Sequence, residues 1–198
     1  MSRRLFIFDL DGVLVDSKKI HFDSLNLALA KAGEQFVISE EEQKDIYEGL
    51  PTKKKLEMLT MLKGLPEDLH ETIYEDKQKQ SILFFKELKE DQELIDIFKA
   101  IKQWDVDIAI ASNCIKETVE VCLTSLGLID IVDLYLSNED VKMSKPSPEI
   151  YLKCIEHFVC ASFYTTIFED SVVGKTAAIK SEARLVPIEG RASVTMDL

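Results

Sequence analysis

Three short runs, Leu5–Phe8, Val106–Ala111 and Thr165–Phe168, are apolar at nearly every position. A strand wetted on one side alternates apolar and polar residues. A run without alternation suits a strand covered on both faces, as in a parallel sheet. Val132–Leu136 and Arg184–Ile188 read as two further strands, and the helical spacing of Lys116–Leu126, Pro148–His157 and Val172–Ser181 falls between the last four runs. Strand and helix in alternation predict βαβ units and a Rossmann-like, doubly wound α/β fold.

From about Ser17 to Lys89 that alternation stops. Amphipathic segments around His21–Ala32, Glu40–Tyr47, Thr52–Lys63 and Glu67–Leu88 follow one another, with Gly49-Leu50-Pro51 and Gly64-Leu65-Pro66 as turns. The expected division is therefore an α/β core of residues 1–16 and 89–198, with an inserted α-helical cap of residues 17–88. Charge clusters such as Glu40-Glu41-Glu42 and Lys53-Lys54-Lys55 read as solvated helix faces.

Candidate chemistry gathers where the strands end. Leu5–Phe8 runs straight into Asp9-Leu10-Asp11-Gly12. Aspartate is a poor strand residue, and two of them after a buried run need a reason. On extended backbone, residues i and i+2 point the same way, so both carboxylates can face one small volume. Gly12 then lets the chain turn sharply out of the sheet. Crowded carboxylates repel, and they share a proton or bind a hard cation. Val106–Ala111 leads into Ser112-Asn113, and the fourth strand leads into Glu169-Asp170-Ser171. Open parallel sheets bind ligands at the carboxyl ends of their strands, so these groups belong to one edge. Lys145-Pro146, ahead of a predicted helix, is placed to bring an ammonium to it.

These motifs, in this order, resemble the haloacid dehalogenase (HAD) superfamily, in particular its phosphatases and beta-phosphoglucomutase-like members with a small helical cap. The resemblance covers the α/β core: Asp9–Ser17, Ser112-Asn113, Lys145–Glu149, and Glu169-Asp170-Ser171 with Gly174 and Ala177-Ala178. It implies that Asp9 is a nucleophile forming an aspartyl-phosphate, and that Asp11 is a general acid and then base. It implies that Ser112, helped by the Asn113 backbone amide, and Lys145 hold and neutralise the phosphoryl group. Mg²⁺ would sit on Asp9, the Asp11 carbonyl and Asp170, with Glu169 as ligand or water-bridged partner. In the cap, the Gly49–Lys53 turn resembles a specificity loop, which makes Thr52 and Lys53 substrate-binding candidates, with Lys77 as a second cap candidate. In related proteins a histidine at the position of His21 contacts the acid/base aspartate. Within the resemblance, Asp11 argues for phosphate-ester chemistry over dehalogenation, because a dehalogenase has no alkoxide to protonate.

The expectation is a Mg²⁺-dependent phosphatase acting on a small phosphomonoester such as a sugar phosphate, phosphoglycolate or a nucleotide. A sugar phosphomutase and a non-catalytic binding protein on the same fold are the alternatives. Gly174-Lys175-Thr176 is not a nucleotide-binding P-loop, because Glu169 stands where that loop needs glycine and would repel phosphates. Net charge is −12, which disfavours nucleic-acid polymers and anionic membranes, and no apolar run reaches the roughly 18 residues of a membrane span. The N-terminal stretch lacks a secretory pattern, so the cytoplasm is the expected compartment; a monomer is a separate expectation. Cys114, Cys122, Cys154 and Cys160 show no zinc spacing and read as reduced packing residues.

Overall fold

The computed structural model describes residues 4–196, so the outer ends of the expected core segments lie outside the described residues. Along the chain run β1 (Arg4–Phe8), α1 (Lys18–Ala32), α2 (Glu40–Glu42), α3 (Thr52–Lys63), α4 (His70–Lys86), α5 (Gln92–Gln103), β2 (Val106–Ala111), α6 (Lys116–Ser125), β3 (Leu134–Leu136), α7 (Glu149–His157), β4 (Thr165–Glu169), α8 (Val172–Lys180) and β5 (Arg184–Pro187). Contacts divide it into two compact units, Met1–Ser17 with Glu87–Leu198, and Lys18–Lys86.

The first unit holds one five-stranded sheet in the order β3-β2-β1-β4-β5, with every neighbouring pair parallel. The central strands β1, β2 and β4 are largely apolar and buried because both faces of the sheet are covered there. Leu5 and Ile7 turn to a core shared with Ile150, Tyr151, Cys154 and Ile155 of α7 and Ala177 and Ala178 of α8. Phe8 turns the other way, stacks on Phe168 at 4.4 Å, and meets Phe98 of α5 at 4.9 Å between ring centroids. Burying one such ring fully is worth about 1.5–3 kcal/mol.

Residues 92–103, for which no element is expected above, form α5. Its signal is present nonetheless: the Asp91 side chain accepts from Leu94 N at 3.0 Å, and Leu94, Ile95, Ile97, Phe98 and Ile101 form one buried stripe. The strand expected from Val132 begins only at Leu134. Ile131 and Val132 are still turning, both donating to Leu128 O, and the Asp133 carboxylate takes the Ile108 N–H.

The second unit contains α1 to α4 and no strand among its described residues. Leu25, Ala28 and Leu29 of α1 bury against Tyr47, Leu56, Leu59 and Ile73. Asn26 pins the following loop by bonding both N and O of Ile38, at 2.9 and 2.8 Å. The helix expected over Glu40–Tyr47 is one turn of α2 followed by a wider π-wound turn, Gln43–Tyr47, ending on the wholly buried Tyr47. The last segment opens as a tight turn, Glu67–Leu69, before α4. Among the described residues no helix is long and apolar enough to cross a membrane.

Candidate active site

Register brings the strand ends level. Phe8 of β1 stands opposite Ile110 of β2 and Phe168 of β4, so the residues that follow share one edge of the sheet. Asp9 N donates to Phe168 O at 3.0 Å, and Ser112 N donates to Leu136 O at 3.0 Å, extending the ladder just past the strands. Gly12 turns the chain at φ +81°, and a Cβ there would overlap the Asp170 carboxylate. The glycine serves both the turn and the close approach.

Lys145 organises this edge. Its Nζ, buried with Asp9 and Glu169, lies 2.6 Å from Asp9 Oδ1, 2.7 Å from Glu169 Oε1 and 2.8 Å from Ala111 O. Burial alone would lower the lysine's pKa, but Asp9 and Glu169 outweigh it and hold the ammonium charged. Burial pushes Asp9 upward, and Glu169 and Asp11 add to that, while Lys145 opposes them. Asp170 is raised by burial and by Glu169. Asp9 and Glu169 share the Lys145 ammonium, and Asp11 and Asp170 add further carboxylates close by, a local excess of negative charge.

A divalent cation fits that excess. Ligand oxygens of Asp9, Glu169 and Asp170 lie within 4.8 Å of one another, and the buried Asp170 Oδ1 has no hydrogen-bond partner. A buried carboxylate oxygen without a donor is the kind of group a hard cation satisfies. Glu169 is more heavily engaged: Oε1 accepts from Lys145 and from Tyr151 Oη at 2.8 Å, and Oε2 accepts from Ser171 N and Oγ at 3.0 and 3.1 Å.

Ser112 is wholly buried, and its Oγ accepts from Cys114 N at 3.0 Å, which leaves its hydroxyl proton for another acceptor. The exposed Asn113 uses its side chain as a clip, accepting from Lys145 N at 3.1 Å and donating to Lys145 O at 3.3 Å. That positions Lys145, a part sequence analysis does not give to the Asn113 side chain.

The candidates in the second unit separate into two groups. Lys77, buried on α4, lies 3.2 Å from His21 Nδ1. Thr52 opens α3, and the Lys53 ammonium sits 5.1 Å over the Tyr74 ring. Lys55 is not part of a fully solvated face, as its run of lysines suggests. It is half-buried, donates to Gln43 Oε1 at 3.0 Å, and has its pKa lowered to about 8 by burial and by Lys77.

Two further residues escape sequence reasoning. Tyr151 holds Glu169, and its only sequence signal is a hydroxyl on an otherwise apolar helix face, which must find a partner when buried. Cys114 is no inert packing cysteine, since its thiol donates to Asp11 Oδ2 at 3.0 Å. The four cysteines form no disulfide.

Gly174 shows how tightly Glu169 is housed, since a Cβ there would overlap its carboxylate. Gly174→Ala is expected to lower stability by about 1–3 kcal/mol through overpacking and to reduce any activity that depends on Lys145. Denaturant unfolding checks the first, and a wild-type midpoint would contradict this reading of the site.

Residues 6–188 match the family model described as haloacid dehalogenase-like hydrolase. The phosphorylated carbohydrates phosphatase of Thermotoga maritima is 27% identical over 175 residues, covering 87% of this chain and 78% of that protein. Fructose-1-phosphate phosphatase YqaB of Escherichia coli is 25% identical over 174 residues, covering 87% and 89%. The crystal structure of beta-phosphoglucomutase from Clostridium difficile superposes with a TM-score of 0.79 at 20% identity, covering 97% of this chain and 87% of the other, a likeness of fold.

Proposed function

Because the chain belongs to the haloacid dehalogenase-like hydrolases, we propose that it is a Mg²⁺-dependent phosphatase that cleaves a small phosphomonoester, a sugar phosphate foremost, through phospho-Asp9. The observation that carries this reading is the buried Lys145 ammonium 2.6 Å from Asp9, at a sheet edge crowded with carboxylates. Asp9, the Asp11 carbonyl and Asp170 would hold Mg²⁺, with Glu169 beside them. The ion, when bound, neutralises charge on the phosphoryl oxygens and on Asp9.

A carboxylate oxygen of Asp9 attacks phosphorus and the bond to the ester oxygen breaks. Asp11 gives that leaving oxygen its proton. Asp11 then takes a proton from water as the water attacks phosphorus, and the Asp9–phosphorus bond breaks to release phosphate. Ser112 donates a hydrogen bond to the moving phosphoryl group, and Lys145 offsets its charge. Phosphoryl transfer needs little else beyond such positioning and neutralisation. The phosphatase names of the two sequence relatives support a sugar phosphate as the ester. Choice among esters is assigned to the helical unit, with Thr52, Lys53, Lys77 and His21 as its candidates.

The test is phosphate release from a panel of sugar phosphates, phosphoglycolate and nucleotides, with Mg²⁺ and then with EDTA. Turnover is expected with Mg²⁺ and is expected to fall to background with chelator. Release that persists in EDTA would overturn the metal assignment. Conversion of one sugar phosphate to its isomer without net phosphate release would replace hydrolysis by a mutase reaction.

A further inference from the structure

Tyr151 lies in the core directly behind the sheet edge, and the reaction above makes no use of it. It is wholly buried on the apolar face of α7. Its hydroxyl donates to Glu169 Oε1 at 2.8 Å, and its ring centroid is 4.9 Å from Lys145 Nζ. Lys145 has committed its donors. An ammonium carries three N–H groups, and here Asp9 Oδ1, Ala111 O and Glu169 Oε1 accept from it. To donate to a phosphoryl oxygen it must release one of them.

The three releases differ in cost, because a buried acceptor left unpaired loses its full desolvation penalty. Leaving Asp9 would remove the cation from the proposed nucleophile. Leaving Ala111 O would take a side-chain donor away from that buried carbonyl. Leaving Glu169 strands neither of its oxygens: Oε1 keeps the Tyr151 hydroxyl, Oε2 keeps Ser171 N and Oγ, and the ammonium stays close by on Asp9. The ring face meanwhile attracts the ammonium and limits how far it travels.

We propose that Tyr151 is a positioning residue that holds Glu169 Oε1 and so frees a Lys145 N–H for the phosphoryl oxygens during transfer. This rests on the phosphatase reading above. Tyr151→Phe keeps the ring and removes only the donor, so the variant is expected to fold. With p-nitrophenyl phosphate and saturating Mg²⁺, kcat should fall about tenfold while KM moves less than about twofold, the size expected for one lost hydrogen bond to a charged group.

In a Glu169→Gln background the same substitution should cost less than about threefold, because the anion whose retention matters is gone. A wild-type kcat in Tyr151→Phe, or an equal loss in both backgrounds, would overturn the proposal. A rise in KM with kcat unchanged would overturn it too, since that marks a binding role. Unfolding midpoints of the same four proteins give the cycle without turnover, and additive midpoints would sever Tyr151 from Glu169. A wild type that hydrolyses no ester overturns the parent reading instead, so the two failures are separable.

Discussion

Asp9→Asn is expected to lower Mg²⁺-dependent phosphate release by about 10⁴-fold or more, the scale seen when a covalent nucleophile is removed. An amide oxygen cannot form the acyl phosphate. Stability should respond in the opposite sense. Asp11 and Glu169 raise the proton affinity of Asp9 and Asp170, and burial already pushes both upward. Removing one carboxylate relieves repulsion, while the amide oxygen still accepts from Lys145. In metal-free buffer the unfolding midpoint of Asp9→Asn should therefore match or exceed that of wild type. Added Mg²⁺ should raise the wild-type midpoint more than the variant's, because binding to the native state stabilises by mass action. Substantial residual turnover would remove Asp9 from the nucleophile's role, and equal Mg²⁺ stabilisation of both proteins would remove it from the metal site.

Lys145→Met is expected to damage both activity and stability. It leaves Asp9 and Glu169 without their shared cation where the lysine side chain is 2% exposed and the Glu169 side chain 0%. Removing one partner of a buried ion pair typically costs about 3–5 kcal/mol, far above the value of an exposed pair. Methionine fills a similar volume, so the loss is electrostatic and not a cavity effect. Activity should fall by about 10²–10³-fold, the scale of losing one preorganised charge stabiliser. Adding Glu169→Gln to Lys145→Met should return part of the lost stability, since the uncompensated charge is reduced. A double variant no more stable than Lys145→Met alone would show that the ion pair is not what holds this edge together.

The carboxylate edge was legible in the sequence because its parts are local. Asp9-Leu10-Asp11-Gly12 closes a run that reads as a buried strand, and Ser112-Asn113 and Glu169-Asp170 close two others. A parallel sheet with in-register strands then has little choice but to bring those ends level. What went unread depends on partners distant in the chain. Tyr151 looks like one more apolar position of an amphipathic helix until Glu169 is placed beside its hydroxyl. Asn113 is expected to offer its backbone amide to phosphate, and nothing in the sequence shows that its side chain brackets the Lys145 backbone. Lys55 belongs by sequence to a solvated lysine run, yet Gln43 and the buried Lys77 set its surroundings. The helix Gln92–Gln103 is a different case, since its cap and apolar stripe are visible in the residues themselves.

By itself the sequence determined the layered α/β core, the helical segment that interrupts it, and which acidic residues end the strands. Those features follow from short-range periodicity and from a backbone that must satisfy its own hydrogen bonds. Only the tertiary structure decided the charge balance of the site. The sequence offers many lysines, and packing buries Lys145 between Asp9 and Glu169 while leaving Asp170 with an unsatisfied oxygen. The energy of a charge depends on what replaces its water, and that is set by residues 24 and 136 positions away in the chain.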